Sequence, residues 1–306
     1  MTIQVVYTPF ISKTLNSKSN KITIPTEVKA DVFVRKLGWH YGLLYHGLVH
    51  NYEENISLDT SEYLTALLKV HDKDYFINAK PGWGSIRNAL ANNYALIHAT
   101  KINKDAIFAP VSGFHHAGYD YGWGFCTFNG LVAAALDLNC KVLILDGDQH
   151  VGDGTIDIIN RLGLHDQITN YSIKEWDDIP SFEGYDHIIY QAGADAHYLD
   201  GGYLNDETWI KRDQLVFQQA KKLCIPITVT FAGGYSSLSK VVELHLSTYW
   251  TAYEIYRDGY EAQCIKSELD RPVSLDPTDQ NCVGRHLLYG ELRSFCKHAQ
   301  HQGDQQ

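Results

Sequence analysis

The stretch KVLILDGDQHVGDGT, residues 141–155, joins a continuous apolar run to a glycine-rich loop that carries three carboxylates and a histidine. A short apolar run without polar alternation is typical of a buried strand that is covered on both faces. Such runs occur at residues 107–110, 141–146, 168–173, 187–191 and 227–231. Helical patterns lie around them, at residues 61–70, 85–100, 127–139, 155–162, 207–223 and 239–256. This alternation predicts an α/β fold with three layers, α/β/α, around a mostly parallel, doubly wound sheet.

The composition indicates one large folded unit. With 306 residues, 44% of them hydrophobic, we expect a single domain over residues 1–306 with a polar, frayed tail at about 298–306. The net charge of −10 argues against direct binding of nucleic acid and suits cationic substrates. The six cysteines form no CxxC pair, and neither a secretory signal nor an apolar run of about 18 residues is present. We therefore expect a cytoplasmic protein without a membrane segment, and a loop at residues 13–29, which are mostly polar.

The loop that follows residue 146 carries side chains that suit a metal ion. In a parallel sheet, ligand-binding groups lie beyond the carboxyl ends of the strands. Asp148 and His150 follow one predicted strand, and Asp195 follows another. Two carboxylates and one imidazole leave an open position for water, which is the pattern of a catalytic zinc site. The alternative is a solvated acidic turn, which the apolar strand leading into the loop disfavours.

Two adjacent histidines and two carboxylates form a second group. His115 and His116 follow another predicted strand, a position suited to proton transfer. Each imidazole needs a partner that fixes its tautomer, and Asp146 and Asp153 are available in the neighbouring loop. Tyr235 follows two glycines in AGGYSS, a turn that can present a phenol, although a tyrosine here could by itself be a core residue.

Taken together, these segments resemble the classical zinc-dependent histone deacetylase family, which has the arginase/deacetylase fold. The matching stretches are LLKVHDKDYFI (67–77), GFHHAGYDYGWGFCTFNGLVAAAL (113–136), VLILDGDQHVGDGT (142–155), YQAGADAHYLDGGYL (190–204) and FAGGY (231–235). The resemblance covers residues from about 67 to 250, with the order of the motifs preserved. It implies a bacterial-type deacylase, similar to the acetylpolyamine amidohydrolases.

The resemblance also implies a role for individual residues. His116 matches the general base and His115 its electrostatic or acid partner, with Asp146 and Asp153 as the carboxylates behind them. Tyr235 matches the tyrosine that donates a hydrogen bond to the substrate carbonyl and then to the oxyanion. The implied metal ligands are Asp148, His150 and Asp195. The implied wall of the acyl-lysine tunnel is formed by Gly124, Phe125 and Cys126. A structural potassium ion is implied at Asp146, Asp148, His150, Ser172 and Ile173.

Three features depart from the family pattern. His150 is followed by Val151 rather than by a second histidine. The HPE-type motif near the N-terminus and its arginine are missing, which leaves the exit path for acetate in doubt. The DPLGG-like stretch of the family is here LDGGYL, residues 199–204. These changes surround the site, so we expect them to affect the choice of substrate more than catalysis.

The sequence thus leads to the hypothesis of an amidohydrolase with one Zn²⁺ per chain that removes acetyl or other acyl groups from amines, foremost from lysine side chains of proteins or peptides. An acetylpolyamine or other small-molecule deacylase on the same scaffold fits the sequence as well. More distant alternatives are an arginase-like dimanganese ureohydrolase, which has no use for Tyr235, and a non-catalytic acyl-lysine or metal-binding module. The oligomeric state, the preferred length of the acyl chain and the choice between zinc and iron as the bound metal stay open at this point.

Overall fold

Parallel strands alternate with helices in the structure, a computed structural model that describes residues 3–7, 26–40, 49–51, 61–82, 84–102 and 105–256. The strands found in these residues are β1 (Ile3–Tyr7), β2 (Val49–Asn51), β3 (Ala106–Ala109), β4 (Val142–Asp146), β5 (Ile168–Ser172), β6 (His187–Gly193) and β7 (Ile227–Ala232). Their order in the sheet is β2-β1-β3-β7-β6-β4-β5, and every neighbouring pair is parallel. The predicted doubly wound α/β fold is confirmed.

The helices connect these strands and cover the sheet. Those in the described residues are α1 (Thr26–His40), α2 (Ser61–Val70), α3 (Lys73–Asn78), α4 (Ile86–Lys101), α5 (Gly130–Asp137), α6 (Asp153–Leu162), α7 (Asp206–Leu223) and α8 (Leu238–Tyr256). None of them combines the length and the apolar character that crossing a membrane requires.

Apolar side chains pack on both faces of the sheet. Along the chain they alternate between the faces, so Phe108 and Leu145 belong to one cluster, whereas Ile107 and Ile144 belong to the other. Helices α1, α7 and α8 complete the first cluster, and helices α2, α4, α5 and α6 complete the second. Burial on both faces explains why the strands are continuous apolar runs in the sequence.

The structure corrects several predicted boundaries. The polar region 13–29 was predicted to be a loop, but α1 begins at Thr26 and buries Phe33, Val34 and Leu37, an apolar stripe with helical spacing. The helix predicted from residue 127 begins at Gly130, because the side chain of Asn129 accepts a hydrogen bond from the Val132 amide and caps the helix. Strands β1 and β2 were not predicted. The predicted tail at 298–306 lies outside the described residues.

Two buried histidines lie away from the predicted site and make the stability of the fold depend on pH. Nε2 of His71 accepts a hydrogen bond from the Asn129 amide at 2.9 Å, and His187 lies 2.9 Å from the Thr228 hydroxyl. Burial lowers the pKa of each to about 4. Between the usual histidine pKa of ~6.5 and pH 4, the unfolded chain therefore binds protons that the folded chain does not. The free energy of unfolding should fall as the pH decreases through this window.

Replacing His187 with glutamine should remove part of this pH dependence. We expect the difference in unfolding free energy between pH 7 and pH 5 to shrink by about 2 kcal/mol in His187→Gln, as measured by urea unfolding. The exposed His165 provides the control, since His165→Gln should keep the wild-type difference. An unchanged pH dependence in His187→Gln would contradict the assignment.

Candidate active site

The candidate site lies at the carboxyl edge of the sheet, beyond the four adjacent strands β3, β7, β6 and β4. The loops after these strands carry the predicted residues. His115 and His116 follow β3, Tyr235 follows β7, and the predicted metal ligands follow β4 and β6. The ring centroid of His150 lies 6.0 Å from that of His116 and 6.3 Å from that of Tyr235. The sheet thus brings groups that are far apart in the sequence into one site, as expected for a parallel sheet.

The three predicted metal ligands are grouped closely. The candidate ligand atoms of Asp148, His150 and Asp195 all lie within 4.8 Å of one another. Nδ1 of His150 lies 3.0 Å from Oδ1 of Asp148 and 3.0 Å from Oδ2 of Asp195. Both carboxylates are buried, whereas the imidazole is half exposed. Nδ1 is therefore the nitrogen that the histidine would offer to a metal ion.

The electrostatics of this group favour a bound cation. Burial, followed by the charge of Asp148, raises the pKa of the Asp195 carboxyl. For Asp148, burial is outweighed by the hydrogen bond from His150 and the charge of His115, which lower the pKa of its carboxyl. Oδ2 of Asp195 is buried and accepts no well-aligned hydrogen bond within the described part of the chain, and its near neighbour is Nδ1 of His150 at 3.0 Å. A divalent cation would neutralise both carboxylates and bind this oxygen, so the three residues fit a metal ion with an open position.

Each of the two adjacent histidines is held by a carboxylate through Nδ1. Nδ1 of His115 lies 2.9 Å from Oδ2 of Asp146, and Nδ1 of His116 lies 2.6 Å from Oδ1 of Asp153. The indole of Trp123 donates a hydrogen bond of 3.0 Å to the other oxygen of Asp153, and its ring centroid lies 4.4 Å from that of His116. In both pairs the carboxylate takes Nδ1 and leaves Nε2 for chemistry.

The two imidazoles differ in their electrostatic environment. Burial lowers the pKa of His116, and the hydrogen bond to Asp153 offsets this only in part. Burial also acts to lower the pKa of His115, but the fully buried Asp146 outweighs it and raises this pKa to about 9. Neighbouring titratable groups whose pKa values are driven apart are a common arrangement in active sites.

Tyr235 lies on a turn that two charged side chains hold from different directions. The carboxylate of Asp200 accepts hydrogen bonds from the amides of Gly234 at 2.9 Å and Tyr235 at 2.8 Å, and also from the amide of Ser236. The ammonium of Lys29 donates to the carbonyl oxygens of Gly234 at 2.8 Å and Gly233 at 3.1 Å. Burial, then the charge of Asp148, raises the pKa of the Tyr235 phenol, which keeps it protonated as a hydrogen-bond donor.

Glycine at position 233 allows this turn to lie against the predicted metal ligands. Its φ is +57°, and a Cβ atom there would lie 2.5 Å from Cγ of Asp195. Both the backbone conformation and the close approach exclude larger residues.

Two cavities meet at these side chains. The outer cavity has a volume of about 400 Å³ and is bounded by exposed aromatic rings, Trp123 and Phe125 among them. The inner cavity, of about 90 Å³, extends from Asp148 and Tyr235 past Lys29 towards α4. Of the predicted tunnel residues, Gly124 and Phe125 line both cavities and Cys126 lines the inner one.

The residues predicted to bind potassium lie at the ends of β4 and β5. Asp146 and Ser172 are register partners, and the Ile173 amide donates to the carbonyl oxygen of Asp146 at 2.8 Å. Oδ1 of Asp146 accepts hydrogen bonds from the Asp148 amide and from Gln191, and Oδ2 lies against His115. Protein donors thus already engage both carboxylate oxygens, and potassium binding stays a prediction.

Four residues of the site were not predicted from the sequence: Lys29, Trp123, Gln191 and Asp200. Lys29 lay in the region predicted to be a loop. Its buried ammonium places a positive charge near the site. The sequence lacks the arginine of the HPE-type motif, so no cation was expected here from the N-terminal part of the chain. Asp200 follows Asp195 by five residues in the LDGG stretch, which was noted only as a departure from the family. An acidic residue five positions after a predicted metal ligand, in the same motif, is a signal that could have identified Asp200.

Comparison with known proteins identifies a similar domain sequence. Residues 51–184 match the sequence model of the histone deacetylase domain. An uncharacterized protein of Picosynechococcus sp. is 26% identical over an alignment of 183 residues, and the match covers 47% of this chain and 61% of that protein. The matched segment thus spans about three fifths of the curated relative. The part of the chain from residue 51 to residue 184 thus resembles a histone deacetylase domain.

Solved structures share the fold. The HD domain of HDA15 superimposes with a TM-score of 0.52 at 17% identity, covering 87% of this chain and 99% of that one. The acetylpolyamine aminohydrolase from Burkholderia pseudomallei gives a TM-score of 0.55 at 15% identity, covering 83% of this chain and 99% of that one. At this level of identity the likeness defines the fold and leaves the substrate open.

Proposed function

We propose that this protein is a zinc-dependent amidohydrolase that removes acetyl or other acyl groups from amines. The observation that carries the proposal is the grouping of Asp148, His150 and Asp195 beside His116 and Tyr235, where the inner and the outer cavity meet. A bound ion would polarise an amide carbonyl and lower the pKa of a water at its open position. The donor set of two carboxylates and one imidazole suits zinc.

The side chains of the site supply the remaining parts of the reaction. Nε2 of His116 takes the proton from the attacking water, because Nδ1 is held by Asp153. Tyr235 donates its hydroxyl to the oxygen of the tetrahedral oxyanion, where preorganised donors contribute most. The imidazolium then returns the proton to the leaving amine, while His115, held by Asp146, acts as the electrostatic or acid partner.

We propose acyl-lysine side chains of proteins or peptides as the substrates. The outer cavity reaches the surface between aromatic rings, with Phe125 on one side and Tyr235 6.3 Å from it, measured between ring centroids. Such walls suit the apolar methylene chain of lysine. Acetylated polyamines are the second candidate, supported by the net charge of −10 and by the structural likeness to an acetylpolyamine aminohydrolase. A non-catalytic module would have no need of the carboxylate-held His116 beside the metal ligands.

A substrate panel with the purified zinc-loaded protein tests this proposal. Acetyl-lysine peptides, longer acyl-lysine peptides and acetylated polyamines would be compared by kcat/KM, with His116→Ala as the inactive control. We expect the highest kcat/KM for an acyl-lysine peptide. A preference for acetylated polyamines would establish the second candidate. If the protein binds zinc and cleaves none of these amides, the hydrolase proposal is wrong.

A further inference from the structure

We propose that Asp200 is a positioning residue for the reaction, in that it fixes the turn that presents Tyr235 to the substrate. This inference rests on the proposed function, because it assigns a purpose to the phenol. Asp200 lies in the LDGG stretch at the C-terminal end of a short 3-10 turn, Tyr198–Asp200. It follows the predicted metal ligand Asp195 by five residues, so a single loop carries both carboxylates.

The carboxylate of Asp200 accepts hydrogen bonds from the turn that carries Tyr235. Its two oxygens accept from three consecutive amides, those of Gly234, Tyr235 and Ser236. Hydrogen bonds to an ionised acceptor are roughly twice as strong as those between neutral groups. The amide of Tyr235 itself lies 2.8 Å and 2.9 Å from the two oxygens, so the backbone of the catalytic residue is held directly.

The turn needs such an anchor because its own backbone restrains it weakly. Gly233 and Gly234 have φ values of +57° and +90°, and glycine has the largest conformational freedom in an unrestrained chain. On the other side, Lys29 holds the carbonyl oxygens of the same two glycines. Asp200 therefore connects the turn to the loop of Asp195 and fixes the phenol relative to the metal ligands.

A role in binding a cationic substrate is the competing explanation, because Asp200 also lines the outer cavity. The two roles have different kinetic signatures. A carboxylate that binds the substrate should affect KM when it is removed, whereas misplacement of an oxyanion donor should lower kcat with little change in KM. A displacement of about 1 Å in a catalytic group can cost on the order of 100-fold in rate.

A double-mutant cycle with Tyr235 decides the inference. In zinc-loaded full-length protein, Asp200→Ala should lower kcat about 10- to 100-fold, and Asp200→Asn less, with unchanged zinc content. In the Tyr235→Phe background, Asp200→Ala should cost less than about twofold, because the hydroxyl that it positions is gone. Asp186→Ala is the matched control. The carboxylate of Asp186 also accepts a hydrogen bond from a backbone amide, that of Lys141 at 2.9 Å. Lys141 directly precedes β4, so this hydrogen bond lies at the amino edge of the sheet, opposite the candidate site.

The outcomes separate this inference from the proposed function. The inference would be overturned if Asp200→Ala lowered kcat by the same factor with and without the Tyr235 hydroxyl, or if it changed KM alone. Either result would leave the proposed function intact. Wild-type activity in Tyr235→Phe would overturn both the role of Tyr235 and that of Asp200. If Asp200→Ala does not fold, Asp200→Asn completes the cycle. If the wild-type protein cleaves no amide, the proposed function fails, and hydrogen exchange of residues 234–236 decides whether Asp200 holds the turn. Unchanged protection in Asp200→Asn would then refute it.

Discussion

Replacing Tyr235 with phenylalanine is expected to lower kcat by ~10²–10³ on acetyl-lysine or acetylpolyamine substrates. The phenol contributes little while the substrate carbonyl is neutral and contributes most once the oxygen carries charge. We therefore expect kcat and kcat/KM to fall together, the signature of an interaction made mainly in the transition state. Because the variant keeps the ring and removes only the hydroxyl, the fold and the metal content should not change.

The acyl group provides an internal control for this result. Trifluoroacetyl-lysine carries a strongly electrophilic carbonyl, which needs less stabilisation at the oxygen. The loss caused by Tyr235→Phe should accordingly be smaller for trifluoroacetyl-lysine than for acetyl-lysine. A variant that cleaves ordinary acetyl substrates at the wild-type rate would show that the assigned mechanism is wrong, even if the metal site is right.

Replacing Asp195 with asparagine is expected to abolish activity, because it removes a proposed metal ligand. The substitution also removes a buried carboxyl whose ionisation is opposed by burial and by the charge of Asp148 when no cation is bound. The metal-free variant should thus unfold at a higher temperature than the metal-free wild type. Added zinc should stabilise the wild type and leave the variant unchanged, since ligands that bind only the folded state stabilise it.

Thermal unfolding with and without zinc, together with elemental analysis, measures both effects. Asp178→Asn is a suitable control, because Asp178 accepts a hydrogen bond from the Tyr171 hydroxyl at 2.6 Å and lies outside the predicted metal site. It should keep its zinc and its activity. If Asp195→Asn retains stoichiometric zinc and wild-type activity, Asp195 is not a ligand.

The central strands and the loops after them could be predicted from the sequence because local patterns encode them. Residues 142–146 form a buried run, and the loop that follows concentrates Asp148, His150 and Asp153 within a few positions. Parallel strands all present their carboxyl ends at one edge, so the predicted strand ends were enough to anticipate that these side chains lie close together.

The parts that were missed depend on contacts between distant segments. Lys29 lies on α1 and donates a hydrogen bond to the carbonyl oxygen of Gly234. The polar residues at the start of α1 led to the prediction of a loop there, so this contact was not expected. Trp123 hydrogen-bonds Asp153 from another loop, and Asp200 holds a turn after a different strand. No local pattern reveals such partners, because each pairing exists only once the chain has folded. The hydrogen bond from Asn129 that starts α5 is local, but a cap moves a boundary by only a few residues.

The most direct test of the account is metal reconstitution. The purified protein would be stripped with a chelator, checked by elemental analysis, and titrated with Zn²⁺ while hydrolysis of an acetyl-lysine peptide and an acetylated polyamine is followed. We predict that the metal-free protein is inactive and that activity returns in proportion to bound zinc, reaching its maximum at about one ion per chain, as expected for the site formed by Asp148, His150 and Asp195. Full activity in protein shown to be free of metal would contradict the account.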